Sequence, residues 1–235
     1  MRVLTKTFSV GRGLLCGLAV FAVGTASAQI AKTGGGYTFH AKYTKGQSIG
    51  YVMKMSGSAQ GQQFSVNMPM TQKVSSVTPA GVATVTMSVG SMSMTVGGKP
   101  MNTPVPANLQ NVSMKVDSKG HVLEGGNGQQ STNVSLPDKA VPMGGTWTAA
   151  TTTPTGMGTP MKVSATYKLV SIEKIGGFNA AKIKVTMSGK GQMEISGAGW
   201  LWLNVTDSSM VKYTTTLNMK MGTMVMPMSM SMSRK

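Results

Sequence analysis

The side chains with the most distinctive chemistry in this 235-residue chain are its 23 methionines, repeatedly spaced as Met-x-Met: Met53/Met55, Met68/Met70, Met92/Met94, Met219/Met221, and a terminal run at Met224, Met226, Met228, Met230 and Met232. Thioethers are soft donors suited to Cu(I) or Ag(I), and in a chain without thiols they would be the available soft ligands. The same spacing also describes a half-buried strand in which methionine replaces valine or isoleucine, because alternate side chains share a face. Most of the pairs sit in alternations that continue with Val, Ile or Phe, which favours core packing. The terminal run differs: beyond Gly222 the phase shifts by one and serine becomes the alternating residue, with Pro227 inside the run. Residues 222–235 are therefore expected either to continue the last strand after a bulge at Gly222-Thr223, returning the methionines to the inner face, or to form a flexible soft-metal tail.

Catalytic side chains are scarce. The acids are Asp117, Glu124, Asp138, Glu173, Glu194 and Asp207, and the histidines are His40 and His121. Acid–base catalysis needs a base and a partner that orients it, whereas Asp117 and Asp207 read as turn residues, Glu173 lies beside a turn and Asp138 sits in a Pro-flanked loop. Glu194 alone falls within a strand, where it pairs most simply with a cross-strand lysine. The chain has no nucleophile elbow, HExxH, phosphate loop or CxxC motif. Gly197-Ala198-Gly199 is flanked by strand and reads as a bend or close packing. No catalytic residues are assigned, and a non-enzyme is expected. Trp147, Trp200 and Trp202 are the candidate ligand-binding positions. Trp200 and Trp202 oppose the aliphatic face of their own strand, so they form a contact platform if that second face is open and packing if it is covered.

The elements that must position these residues begin after an export leader. Arg2, Lys6 and Arg12 precede an apolar run from Leu14 to Gly24, and Ala26-Ser27-Ala28 supplies a small-x-small cleavage site, so residues 1–28 read as a signal peptide. The run is too short to span a bilayer, which needs about 20 apolar residues, and no later stretch is long and apolar enough. A periplasmic or extracellular location follows. The only cysteine, Cys16, would leave with the leader, which excludes disulfides and thiolate metal sites from the mature chain. Removal of the leader leaves 19 basic against 6 acidic side chains, a formal charge of +13. The lysines lie singly on strand faces, which suits a solvated face or attraction to an anionic surface; few aromatics accompany them, so nucleic acid is not an expected partner.

Residues 29–235 read as a single all-β domain. A Gly-rich start leads loosely into a strand through Tyr37, Phe39 and Ala41. Hairpins follow at Ile49–Met70, where Pro69 requires an edge or a bulge. A strand from Ala83 slips phase at Gly90, and another at Val112–Val116 is closed by the Asp117–Gly120 turn. A turn of helix within Pro106–Gln110 is the best helical candidate, and residues 125–135 form the expected mobile loop. From Met161 to Met221 four long alternating strands with short turns make an antiparallel meander. In the last pair, Val211, Tyr213, Thr215, Leu217, Met219 and Met221 share the apolar face. About ten strands are expected, as one curved sheet forming a half-barrel, barrel or sandwich.

The order of an Asp-x-x-Gly turn at Asp117–Gly120, L-P-D-K-x-V-x-x-G-x-x-W from Leu136 to Trp147, Y-x-L from Tyr167, a Gly-Gly turn and K-I before G-x-G at Gly197 resembles an uncharacterised family of exported bacterial proteins, a domain of unknown function. The resemblance spans most of the mature chain and implies no catalytic residues. It also implies that the sequons at Asn111, Asn133 and Asn204 arise by chance. The function expected is that of a non-catalytic envelope protein binding an apolar or amphipathic ligand, or an anionic, lipid or glycan surface. A soft-metal protein using Cu(I), with Met224, Met226, Met228, Met230 and Met232 as ligands, and a purely structural β protein are the alternatives; otherwise no cofactor is expected. Intact mass of the exported product should give an N-terminus at Gln29. A mature chain retaining a lipid-modified Cys16 would overturn that expectation.

Overall fold

The computed structural model describes residues 28–59, 61–101, 104–105, 107–125, 135–153, 161–191, 193–206 and 209–235. Residues 1–27 of the expected leader and the interior of the 125–135 loop lie outside the described residues. In the first half, β3 (Ser48–Ala59), β4 (Gln62–Val77), β5 (Ala83–Val89), β8 (Asn111–Val116) and β9 (Val122–Gly125) are successive antiparallel neighbours. β6 (Ser93–Val96) pairs with the far end of β4 and with β7 (Lys99–Met101). A single helical turn, α1 (Ala107–Gln110), precedes β8, within the stretch where a turn of helix is expected. The second half is a continuous meander of β10 (Thr146–Thr153), β11 (Met161–Ile175), β12 (Phe178–Lys190), β13 (Glu194–Asn204), β14 (Met210–Met221) and β15 (Met224–Arg234).

The two halves become one thirteen-stranded sheet because β15 also pairs with β3, from Met228↔Gly57 to Arg234↔Tyr51. The sheet is not closed: β9 and β10 stand at its two ends without pairing. The barrel alternative is therefore excluded, and the sheet is open. A separate hairpin, β1 (Ala28–Thr33) with β2 (Gly36–Ala41), replaces the loose start expected of residues 29–43. Weak alternation hides β1, since it carries only Ile30 into the core.

Alternation decides which face is buried. Along β4 the period of two puts Phe64, Val66, Met68, Met70 and Val74, with Gln72, on the buried face between mostly exposed polar residues, and β12, β14 and β15 repeat it. Gly197 and Gly199 keep the period of the inner face but lie against β14: a Cβ on Gly199 would fall 2.0 Å from the Thr214 carbonyl oxygen and 2.7 Å from the Thr215 Cα. Close packing, rather than a nucleotide loop, explains the Gly-Ala-Gly sequence.

Three local irregularities follow from single residues. Pro69 lies on β4 where its partner changes, between Met70↔Val89 of β5 and Asn67↔Ser93 of β6, so its missing N–H interrupts no ladder there. Across Gly90 the register along β4 shifts by one residue, which returns Met94 to the buried face. The third overturns an expectation: Val211 does not share the face of Tyr213. It is the extra residue of a bulge between Trp202↔Lys212 and Leu203↔Met210, and it packs with Trp202 and Ala180 on the other side.

The methionine tail is corrected in the same way. It is neither a flexible tail nor a continuation of β14 after a bulge. Gly222-Thr223 is a two-residue turn, with Met221 opposite Met224 and Gly222 at φ +59°, that reverses the chain into β15. A two-residue reversal itself produces the one-residue phase shift, and it brings Met226, Met228, Met230 and Met232 to the buried face. Pro227 is tolerated because pairing with β3 stops at Met228. Removing this strand should separate the halves: a chain ending at Met221 is expected to lose cooperative unfolding by circular dichroism. Met232→Ala, at a position 1% exposed, should cost about 2–5 kcal/mol in urea denaturation.

Candidate functional site

The face of the sheet opposite the methionine core is built from the polar half of each alternation. Cross-strand pairing sets these residues in rows. One row runs Lys184, Trp200, Thr214, Ser231, Lys54, Asn67 and Ser93 across seven strands from β12 to β6. The next runs Thr186, Ala198, Thr216, Ser229, Ser56, Ser65 and Thr95 across the same strands. All of these but Thr186 line an open trough of about 830 Å³, which Met55, Val66 and Met230 also border; among the described residues its lining carries Lys54 and Lys184 and no carboxylate. Small side chains give it depth. Some of its hydroxyls are fixed by neighbours: Ser65 and Thr95 share a hydrogen bond of 2.7 Å, and the Thr215 and Thr216 hydroxyls donate to the Ala198 carbonyl.

At one end of the trough stands an aromatic–cationic cluster. Trp200 and Trp202 are 6.4 Å apart between ring centroids, and the Lys182 ammonium lies 5.0 Å from the Trp200 ring and 5.7 Å from that of Trp202. Lys212 covers Trp202 at 5.6 Å. The Trp202 indole N–H donates to Glu173 Oε1 at 2.8 Å, while Ser171 and Lys182 donate to Oε2. The bond from Trp202, with those from Ser171 and Lys182, holds the Glu173 carboxyl below its ordinary pKa against the opposing effect of burial. Trp202 is thus buried packing, with Ala180 and Val211 beneath it. Trp200 is half-buried and reaches the trough.

Trp147 belongs to the opposite face. It stacks on Tyr167 at 5.2 Å and 14°, meets Phe39 at 5.5 Å, and donates its N–H to the Ser135 carbonyl at 2.9 Å. The β1–β2 hairpin is drawn over the core at this point: Ala41 N–H donates to Ser118 O, Tyr37 and Val141 exchange backbone bonds, and Lys119 Nζ donates to the carbonyls of Phe39 and Pro137. The structure therefore brings Trp200 and Trp202 together and keeps Trp147 apart from them.

One polar chain joins residues that sequence reading left separate. Asp117 Oδ1 accepts the backbone N–H groups of Lys119 and His121, both at 2.8 Å, and its Oδ2 lies 2.9 Å from His121 Nδ1; His121 Nε2 lies 3.1 Å from Ser135 Oγ. Partial burial raises the Asp117 pKa, but the bonds from His121 and Lys119 outweigh it and leave the carboxyl below its ordinary value. Fourteen residues separate His121 from Ser135, so no local motif announces the contact. Deeper in the fold only neutral phenols occur: burial raises Tyr43, with Asp117 adding to it, and pushes Tyr213 up to about 12 against a bond with Thr215.

The five terminal methionines that form the candidate soft-metal set lie along one inner row of β15, four of them buried and Met224 partly so. Met232 and Met230 face Met53 and Met55 of β3. Among the described residues no group of three or more His, Cys, Asp or Glu gathers to hold a metal, and no helix is long and apolar enough to cross a membrane.

No family model and no curated protein matches the chain. Among solved structures, a Bacteroides fragilis chain described as a "putative exported protein with YmcC-like fold" is similar over 83% of this chain and 99% of its own, at 12% identity and a TM-score of 0.34. The comparisons thus assign no characterised family, in keeping with the resemblance to an uncharacterised one.

The depressed Asp117 pKa gives stability that is present above the ordinary carboxylate range, near pH 4, and is lost as pH falls through the lower folded-state value. Thermal midpoints measured from pH 6 to pH 2 should therefore fall more steeply for the native chain than for Asp117→Asn. Parallel curves would show that this turn contributes nothing to acid sensitivity.

Proposed function

We propose that this chain is an exported, non-catalytic binding protein of the cell envelope that holds an anionic surface against the polar face of its sheet. Export rests on the leader pattern of residues 1–28. The observation that carries the binding is the trough: two lysines from distant parts of the chain, hydroxyls between them, and no acidic side chain among the described residues of its lining. With a formal charge of +13 on the mature chain, the surrounding potential attracts anions and concentrates them at such a recess. An apolar ligand gains less support, since Met55, Val66 and Met230, which also border the trough, are 3–5% exposed and packed in the core. The Asp117–His121–Ser135 chain fastens a turn to the segment after it, away from the trough.

Retention on a polyanionic matrix measures the reading directly. Binding should weaken steadily from 20 to 300 mM salt, as screening of exposed charge requires. The double variant Lys54→Glu/Lys184→Glu should elute far earlier than Lys32→Glu/Lys174→Glu, which makes the same change of charge outside the trough. Equal elution of the two would reduce the effect to net charge and defeat the proposal. Stoichiometric labelling of Ser135 by a fluorophosphonate would overturn the non-catalytic half of it.

A further inference from the structure

We infer that the trough is the binding site of a linear acidic polysaccharide lying across the strands, with one sugar ring against Trp200 and its carboxylates or sulfates at Lys184 and Lys54. The inference rests on the anionic-surface reading and narrows it to one class of ligand. Three features of the recess select a glycan chain.

The first is shape. Lys184 and Lys54 stand in one cross-strand row with Trp200, Thr214 and Ser231 between them. Four strand spacings of about 4.8 Å separate them by about 19 Å, a length that takes several sugar rings in sequence. The trough is recessed and runs across the strands, so a single polymer chain can enter it where a flat bilayer cannot. The exposed large hydrophobic residues, Met101, Leu123, Met143, Val170 and Val225, lie outside it.

The second is lining. Thr214, Ser231, Thr216, Ser229, Ser56 and Asn67 present short donors and acceptors at regular intervals on paired strands. A pyranose offers hydroxyls at similar density, and each can exchange hydrogen bonds with them.

The third is the placement of a single indole. Lys182 lies over the Trp200 ring at 5.0 Å, and Trp200, half-buried, is part of the trough lining. An aromatic surface beside hydroxyls suits the C–H face of a sugar, which is apolar while its rim is polar. A single-stranded nucleic acid would call for successive stacking platforms; Trp200 is the one aromatic residue lining this trough.

The mature protein is titrated at low salt with alginate as a linear polyuronate, dextran as a neutral glycan, phosphatidylglycerol vesicles, and an oligothymidine, following tryptophan fluorescence and calorimetry. Alginate should bind with a fluorescence change, and dextran at least tenfold more weakly. Trp200→Thr should weaken alginate at least tenfold while leaving weak vesicle association unchanged. Ser229→Asp, which puts a carboxylate on an exposed position of the trough without touching the aromatic cluster, should abolish alginate binding in a chain whose circular dichroism is native. Binding of vesicles or oligothymidine as tightly as alginate, with Trp200→Thr and Ser229→Asp both without effect, would overturn the glycan inference and leave the broader anionic reading in place. Failure of every anion to bind would remove both.

Discussion

The structure depends on the insertion of β15 between β14 and β3. Two meanders, one running from β3 to β9 and the other from β10 to β15, share no other strand pairing. Each alone would expose a long edge and half of a methionine-rich face, a template for aggregation. The last eleven-residue strand satisfies both edges at once, and its alternating methionines fill the seam between the two inner faces. Methionine suits that place: it is unbranched and polarizable, so it can meet Met53 and Met55 on one side and Leu217 and Met219 on the other without a fixed side-chain shape. The contact is also the most distant in sequence, so its loop-closure entropy is lost before the sheet is complete.

The polar face inherits its organisation from the same pairing. Lys54 and Asn67 come from the first meander; Lys184, Trp200 and Thr214 come from the second; Ser231 on β15 lies between them. A trough lined by both halves exists only when the seam is closed, so its formation is tied to completion of the fold. The lysines are then set by strand spacing rather than by flexible loops, so under the proposed reading less entropy is lost on binding.

The aromatic residues divide by face, and the division explains their different roles. Trp147 joins Phe39 and Tyr167 where the β1–β2 hairpin crosses the core, and its N–H donates to the carbonyl of Ser135. Trp202 is held on the outer face by Glu173, and the Lys182 and Lys212 ammonium groups lie over it. Trp200, without such a hydrogen bond, keeps surface toward the trough. Three identical side chains thus sit in a core cluster, in a hydrogen-bonded outer cluster and at the border of the trough, according to what the neighbouring strands bring beside them.

The sequence by itself determined the antiparallel meander, the inward and outward faces of nearly every strand, the interruption at Pro69 and the phase slip at Gly90, because a period of two and the chemistry of glycine and proline are local. It also assigned the tail methionines to the inner face as one of two outcomes. Tertiary structure decided the rest. The phase shift after Gly222 is compatible with both a bulge and a reversal, and only the presence of β3 on the far side of β15 selects the reversal. The placement of Val211 turned on a bulge whose position is set by the partner strand. That the sheet stays open, that Asp117, His121 and Ser135 meet, and that Lys54 stands in a row with Lys184 all depend on pairings between residues far apart in the chain, for which local periodicity carries no signal.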